Sequence, residues 1–309
     1  MQNDDRDTRP TVGFVGLGEM GLPMAGHLAG AAAVAGFDAA PARREPAAAL
    51  GVSWAASGAE AAARSTGPVV VMVRTPPQVE AAVFGPGGCL DGARGAARDI
   101  VLMSTIDPDS MAEIARRAAE RNATVVDAPV SGGQRGAEAA TLSIMASGDA
   151  AAIARVRPLL DRLGTVAVVG DRPGQGQAVK LANQVMMAAA MAGTVEGLEI
   201  AARHGVGEDR AREVIGRGTG ASWVLEQWPW MRSLWDDYEP GNALDVLYKD
   251  MRALLDVSAA GWAPLPVTAA AFQRLLGHWT AQPAVARARG QAPDPGRAPG
   301  SASRADGSL

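Results

Sequence analysis

The sequence predicts an α/β protein: a doubly wound, mostly parallel sheet domain followed by an all-α domain. Three observations carry this expectation. From residue 11 to about 172, short apolar runs alternate with Ala-rich helical stretches. The runs are apolar at nearly every position, as strands covered by helices on both faces must be, whereas a one-sided sheet would alternate. After "GDRPGQG" no convincing strand follows, and long Ala/Met/Leu/Glu stretches dominate residues 177–281.

The strand candidates, in order, are "TVGFVG" (11–16), "AVAGFD" (33–38), "GPVVVMV" (67–73), "DIVLMS" (99–104) and "ATVVDAPV" (123–130). "TLSIMAS" (141–147) and "TVAVVG" (165–170) flank a helix at 149–163 and extend the same sheet. The domain boundary is placed near residue 172, giving a first domain over 11–172 and a helical second domain over 173–281. That second domain opens with nearly thirty residues free of internal proline, which end at Gly205, a residue suited to a helix C-cap. The acidic opening "MQNDDRDTRP" (1–10) is expected to be a disordered arm without the apolar core of a secretory signal. The Pro/Gly/Ser/Ala/Arg-biased residues 282–309 read as a disordered tail, because such a composition cannot bury a core.

Bulk composition excludes several functions. Apolar residues make up 48% of the 309 residues and charged residues 20%, as in a globular protein with real cores. A net charge of −4 without a basic stripe argues against a nucleic-acid partner. No apolar run reaches the roughly 18 residues of a membrane span. The single cysteine, Cys89, excludes an internal disulfide and suits a reducing cytoplasm. His27, His204 and His278 are scattered without metal-ligand spacing, so no metal is expected.

The cofactor end is written in "TVGFVGLGEMGLPMAGHLAG". Gly16, Gly18 and Gly21 stand in G-x-G-x-x-G spacing after a strand and before a helix, so the loop Gly16-Leu17-Gly18-Glu19-Met20-Gly21 is expected to wrap a pyrophosphate. Gly16 permits the tight turn, Gly18 the close approach of phosphate to backbone, and Gly21 close packing of helix on strand. The helix amino end adds N–H groups and a positive dipole. Pro23 is tolerated only within the first helical turn. Asp38 closes the second strand where an acid accepts hydrogen bonds from a free ribose and repels a 2′-phosphate, which favours NAD. Arg43 and Arg44 lie shortly downstream and keep NADP open. These features together specify a Rossmann-type dinucleotide domain.

Three further stretches carry polar groups that a plain α/β core does not need. "MSTIDP" ends a strand with Ser104 and Thr105, "DAPVSGG" ends another with Ser131, Gly132 and Gly133, and "YKDM" sets Lys249 beside Asp250. Ligands of such sheets bind beyond the carboxyl ends of the strands. "GQGQAVKLANQ" opens the long helix with Lys180 and places Asn183 and Gln184 three and four residues on, along the same face. A lysine at a helix start is ordinarily a solvated end residue with its stem along apolar surface.

Context changes that reading. "GFVGLGEMGLPMAGHLA", "DAPVSGG", "GQGQAVKLANQ" and "YKDMRALLD" stand in the order and approximate spacing of the β-hydroxyacid dehydrogenases, which the chain resembles from residue 11 to about 277. That family includes 3-hydroxyisobutyrate dehydrogenase and tartronate semialdehyde reductase, with 6-phosphogluconate dehydrogenase more distant. The resemblance implies an NAD(P)-dependent enzyme that interconverts a small β-hydroxyacid and its semialdehyde or ketone. It implies Lys180 as general acid/base, Ser131, Gly132, Gly133, Asn183 and Gln184 around the substrate, Thr105 and Lys249 toward the nicotinamide, and Asp250 supporting that corner. Oxidising a hydroxyl-bearing carbon requires a group that takes the hydroxyl proton, and a lysine amine in a partly dry site is suited to the task. The long Ala/Met-rich helix is expected to pack against a second subunit in a homodimer or homotetramer.

The sequence departs from the family at three places. Some relatives carry two asparagines where this chain has Asn183-Gln184, and Asn242 stands where members often place a phenylalanine. The tail replaces the usual acid-bearing helix end. Trp223, Trp228, Trp230 and Trp235 crowd one segment and read first as core and interface packing. Two alternatives stay open. An imine reductase shares this architecture but commonly replaces the lysine, and a non-catalytic cofactor-binding oligomer would show degenerate motifs, which are absent here.

Overall fold

The computed structural model describes residues 10–91, 98–236, 243–259 and 264–281. The expected arm up to residue 9, Asn242 and the tail at 282–309 lie outside the described residues.

Nine strands form one sheet among the described residues. They are β1 Thr11–Val15, β2 Ala33–Phe37, β3 Val52–Trp54, β4 Val69–Val71, β5 Arg98–Leu102, β6 Ala123–Asp127, β7 Val130–Ser131, β8 Leu142–Ser147 and β9 Gly164–Gly170. Their order is β3-β2-β1-β4-β5-β6-β8-β7, with β9 paired to β8. From β3 to β6 every pairing is parallel. β8 runs antiparallel to both β6 and β7 and parallel to β9, so the sheet is mostly parallel and its far edge is mixed. β3, which the sequence reading did not name, has only three residues, too few for a periodic signal. The run 123–130 is two strands, broken at Ala128 and Pro129, where a proline cannot donate to a ladder.

Continuous apolar runs arise because successive side chains enter two separate cores. Val12, Phe14, Val70, Val101 and Val126 lie in the core on one face. Val15, Val69, Val71, Ile100, Leu102 and Val125 lie in the core on the other. Each such side chain contributes about 1.5–3 kcal/mol on full burial. Strand order reverses between β1 and β4, the switch point at which such sheets bind ligands beyond the strand carboxyl ends.

Helix Gln175–Arg203 runs unbroken for 29 residues. It ends as expected at Gly205, whose φ is +77°. The N–H of Val206 reaches the Ala201 carbonyl, and that of Gly205 the Ala202 carbonyl, the paired bonds of a glycine-terminated helix. The chain divides into two compact units inside this helix, between Val185 and Met186. The sequence texture changes near 172, but the first turns of the helix are hydrogen-bonded to the sheet, which moves the packing division downstream. By length and composition this helix is also apolar enough to cross a membrane, an exception to the expectation from uninterrupted runs. Its buried Gln177, Lys180 and Gln184, all near its start, are hydrogen-bonded within the protein.

The second unit is helical, with Glu208–Gly216, Trp223–Glu226, Trp228–Asp236, Ala243–Ala259 and Pro266–Ala281 following the end of the long helix. Leu244, Leu247 and Met251 recur on one face of Ala243–Ala259 and join Met191, Trp228, Met231 and Leu275 in its core. Trp228 is buried there, whereas Trp223 is half-exposed and meets Trp230 edge-on at 6.5 Å. Packing is therefore the role of Trp228.

Candidate active site

The glycine turn is built as the spacing requires. Gly16 has φ +98°, and a Cβ there would lie 2.1 Å from the Met72 carbonyl oxygen on the neighbouring chain segment. A Cβ on Gly21 would lie 1.9 Å from the carbonyl oxygen of Gly16. A Cβ on Gly18 would meet nothing within 4 Å, so this glycine is not demanded by the protein's own packing. It leaves a space that a phosphate group fits. Helix Gly21–Ala29 begins behind it with no side-chain cap, and Pro23 falls inside its first turn. Uncapped helix starts offer their N–H groups to an anion.

Asp38 follows β2 and faces this turn. Its carboxylate accepts from the N–H of Leu17 (2.7 Å) and of Ala40 (2.7 Å), which holds the turn in register with the second strand. Arg43 donates to Glu19 at 2.6 Å. The arginine placed by sequence to reach a 2′-phosphate is thus paired with the glycine loop's own acid.

A second cluster gathers around the lysine. Lys180 is buried, and its Nζ donates to Oε1 of Gln184 at 2.9 Å. Asn183 Nδ2 donates to Ser131 Oγ at 3.3 Å and to Gln184 Oε1 at 3.2 Å. Ser131 comes from β7, and Gly132 (φ +128°) and Gly133 (φ +61°) follow it in conformations that favour glycine. The structure therefore brings Lys180, Asn183, Gln184 and Ser131 together, with the two glycines directly beyond. Lys180 is not a solvated end residue.

Ser104 lies two residues beyond β5; its Oγ accepts from the Val73 N–H at 2.9 Å, and half-buried Thr105 follows. In the second unit Lys249 Nζ lies 2.9 Å from Oδ1 of the buried Asp250, and the lysine is 26% exposed. Cys89 is buried against the sheet, and burial pushes its thiol up to about 12, which leaves it inert as a nucleophile.

The sequence reading missed a network behind the lysine. Asp127, at the end of β6, is fully buried. One of its carboxylate oxygens accepts from the N–H of Gly174 (2.9 Å), the N–H of Gln177 (3.2 Å) and Ser147 Oγ (2.9 Å). The other accepts from Gln177 Nε2 at 2.9 Å. Burial dominates and holds this carboxyl above its ordinary pKa, while the four donors pull it down. The available signal was an acid opening "DAPVSGG", but nothing local shows what it faces.

Comparison with known proteins follows this geometry. The model of the NAD binding domain of 6-phosphogluconate dehydrogenase matches residues 11–170, more than half of the chain. The model of the NAD-binding region of NADP-dependent 3-hydroxyisobutyrate dehydrogenase matches residues 174–284. The chain belongs to the β-hydroxyacid dehydrogenase family. Within it, the chain is 35% identical over 266 residues to 2-(hydroxymethyl)glutarate dehydrogenase of Eubacterium barkeri, covering 85% of this chain and 87% of that one. It is 36% identical to 2-hydroxy-3-oxopropionate reductase of Escherichia coli K12, over 84% of this chain and 87% of that one. The solved 3-hydroxyisobutyrate dehydrogenase of Mycobacterium tuberculosis with L-serine superposes with a TM-score of 0.75 at 31% identity, covering 89% of this chain and 95% of that chain. A family dinucleotide fits the residues present: the open space at Gly18, the uncapped helix start and Asp38 are its expected contacts.

Proposed function

We propose that this β-hydroxyacid dehydrogenase catalyses the reversible NAD(P)-dependent oxidation of a small β-hydroxyacid to its semialdehyde or ketone, with Lys180 as general acid/base. The observation that carries the reading is Lys180 itself, buried at the start of its helix and hydrogen-bonded to Gln184 beside Asn183 and Ser131. Gly16 to Gly21 and Asp38 hold the dinucleotide, NAD being favoured by the acid. Bound there, the nicotinamide supplies the redox step at the carbinol carbon. Ser131, Gly132 and Gly133 hold the substrate carboxylate, and Asn183 and Gln184 orient the hydroxyl. Lys180, as the neutral amine, takes the hydroxyl proton during oxidation and, as the ammonium, returns it to the carbonyl oxygen during reduction. Thr105, Lys249 and Asp250 are assigned to the nicotinamide side by family resemblance.

The relatives' names direct the substrate search to 3-hydroxyisobutyrate, L-serine and 2-(hydroxymethyl)glutarate. Absorbance of the reduced nicotinamide, followed with NAD and with NADP over these acids and over glycerate, 3-hydroxypropionate and 4-hydroxybutyrate, tests the reading. Lys180→Ala is expected to lose roughly 10²–10⁴-fold in turnover while still binding cofactor. Turnover undiminished in that variant would remove the lysine from the reaction. An imine reductase is disfavoured because the lysine is present and held.

We infer also that the protein is a homodimer or homotetramer joined through the long helix. Met186 and Ile200 on that helix are 74% and 62% exposed in the single chain, and exposed apolar surface of this kind marks subunit contacts. Light scattering that finds a monomer at working concentration refutes it.

A further inference from the structure

The lysine helix begins with three of its amide groups held by side chains from two strands. Gly174 and Gln177 donate their N–H groups to Asp127 Oδ2, and the Gly176 N–H donates to Ser147 Oγ at 2.9 Å. Helix starts leave their first amides without internal partners, and here β6 and β8 supply those partners. Asp127 and Ser147 are direct cross-strand neighbours, so the acceptors are set by sheet register. A Cβ on Gly176 would lie 2.4 Å from the Met145 carbonyl oxygen and 2.9 Å from Asp127 Oδ2, so only glycine lets the helix sit this close.

Gln177 extends the network to a third strand. Its Nε2 donates to Asp127 Oδ1 (2.9 Å) and to the Ser104 carbonyl (3.0 Å), and its Oε1 accepts from the Ile106 N–H (3.0 Å). Both amide ends are therefore used, and their orientation is set by Asp127. A carboxylate surrounded by donors alone accepts from an amide NH₂, which turns the amide oxygen toward Ile106. Asp127, Ser147 and Gln177 are all fully buried.

We propose that Asp127 and Gln177 are positioning residues, a buried carboxylate–amide pair that fixes the Lys180 helix to the Ser104–Ile106 strand end and so sets the distance between the proton-transfer group and the segment carrying Thr105. The inference rests on the catalytic reading of Lys180 given above. Both act through the first turns of its helix and through the strand end. Misplacement by about 1 Å of a group that transfers a proton costs on the order of 10²-fold in rate.

The variants Asp127→Asn and Gln177→Met test the proposal in the full-length enzyme. In Asp127→Asn the introduced NH₂ cannot accept, so the Gln177 amide must flip and lose its bonds to Ile106 and Ser104. Turnover of 3-hydroxyisobutyrate, or of whichever acid in the panel the wild type oxidises best, is expected to fall roughly 10- to 100-fold. The NADH dissociation constant, read by nicotinamide fluorescence, should stay within about twofold, since the glycine turn is untouched. Asp127→Asn combined with Gln177→Glu restores a carboxylate–amide pair in reverse and should recover at least part of the turnover. In a Lys180→Ala background Asp127→Asn should cost nothing further, because residues acting through one group are non-additive.

A readout independent of activity comes from the two lysines of the chain, Lys180 and Lys249. Selective ¹³C,¹⁵N-lysine labelling yields one side-chain Cε–Nζ cross-peak for each. The Lys180 peak should move in both single variants while the Lys249 peak stays. Folded variants with wild-type turnover and an unmoved Lys180 peak overturn the proposal, as does a loss of the same size with and without Lys180. If Lys180→Ala itself retains full turnover, the catalytic reading fails, and the Lys180 cross-peak still decides whether Asp127 holds that helix. Should Asp127→Asn not fold, Gln177→Met carries the same test with no buried charge disturbed.

Discussion

Gly18 and Gly16 stand two residues apart in one turn, yet alanine at the two positions should have opposite effects. At Gly16 an added methyl meets the Met72 carbonyl oxygen at 2.1 Å, and the residue holds φ +98°. The conformational cost for an L-residue there is roughly 1–2 kcal/mol, and overpacking adds about 1–3 kcal/mol. Gly16→Ala should therefore lose about 2–5 kcal/mol, which at about 2–4 °C per kcal/mol lowers Tm by about 4–20 °C. At Gly18 the methyl meets nothing within 4 Å and the backbone is not in the left-handed region. Gly18→Ala should leave Tm unchanged or raise it, since a compatible alanine gains about 0.4–1 kcal/mol from the unfolded chain. The methyl instead fills the space assigned to the pyrophosphate. NAD affinity should fall at least about tenfold, equivalent to about 1.4 kcal/mol. Differential scanning calorimetry of the apo variants and fluorescence titration with NADH measure the two effects separately. Wild-type affinity in Gly18→Ala would refute the placement of the phosphates, and a Tm loss matching that of Gly16→Ala would refute the steric argument.

Two further outcomes follow from the same geometry. Glu19→Gln releases Arg43 from its ion pair and should raise the kcat/KM ratio of NADP over NAD by up to about fivefold, the limit set by a pair of about 1 kcal/mol between exposed partners. An unchanged or lowered ratio would show that Arg43 does not reach the 2′-position. Burial raises Asp127 above its ordinary value, so the folded protein binds this proton more tightly than the unfolded chain does, and falling pH through that range favours the folded state. The Tm difference between wild type and Asp127→Asn should then shift in favour of the wild type between pH 7 and pH 4. A shift the other way would mean that the four donors outweigh desolvation.

Most strands of the sheet and both candidate clusters were legible where the physics is local. An apolar run covered on both faces, a glycine turn between strand and helix, and Lys180, Asn183 and Gln184 on one helical face are each written within a few residues. The end of the long helix was equally legible, because Gly205 adopts a φ that few other residues tolerate. β3 was not, since three residues have no period, and the antiparallel run of β8 was not, since an apolar strand looks the same in either direction. The unit division fell later than the change in composition because hydrogen bonds to the sheet, rather than helix propensity, decide what the first turns of that helix belong to.

Family, cofactor class and the candidate proton-transfer residue are thus properties of short segments whose residue types chemistry restricts. Tertiary structure alone decided how that lysine is held. Asp127 meets Ser147 20 residues away, Gly174 47 away and Gln177 50 away, and Gln177 meets Ser104 73 away. A buried carboxylate must find its donors wherever the fold brings them. No pattern along the chain encodes that meeting, because it depends on which strand ends lie side by side.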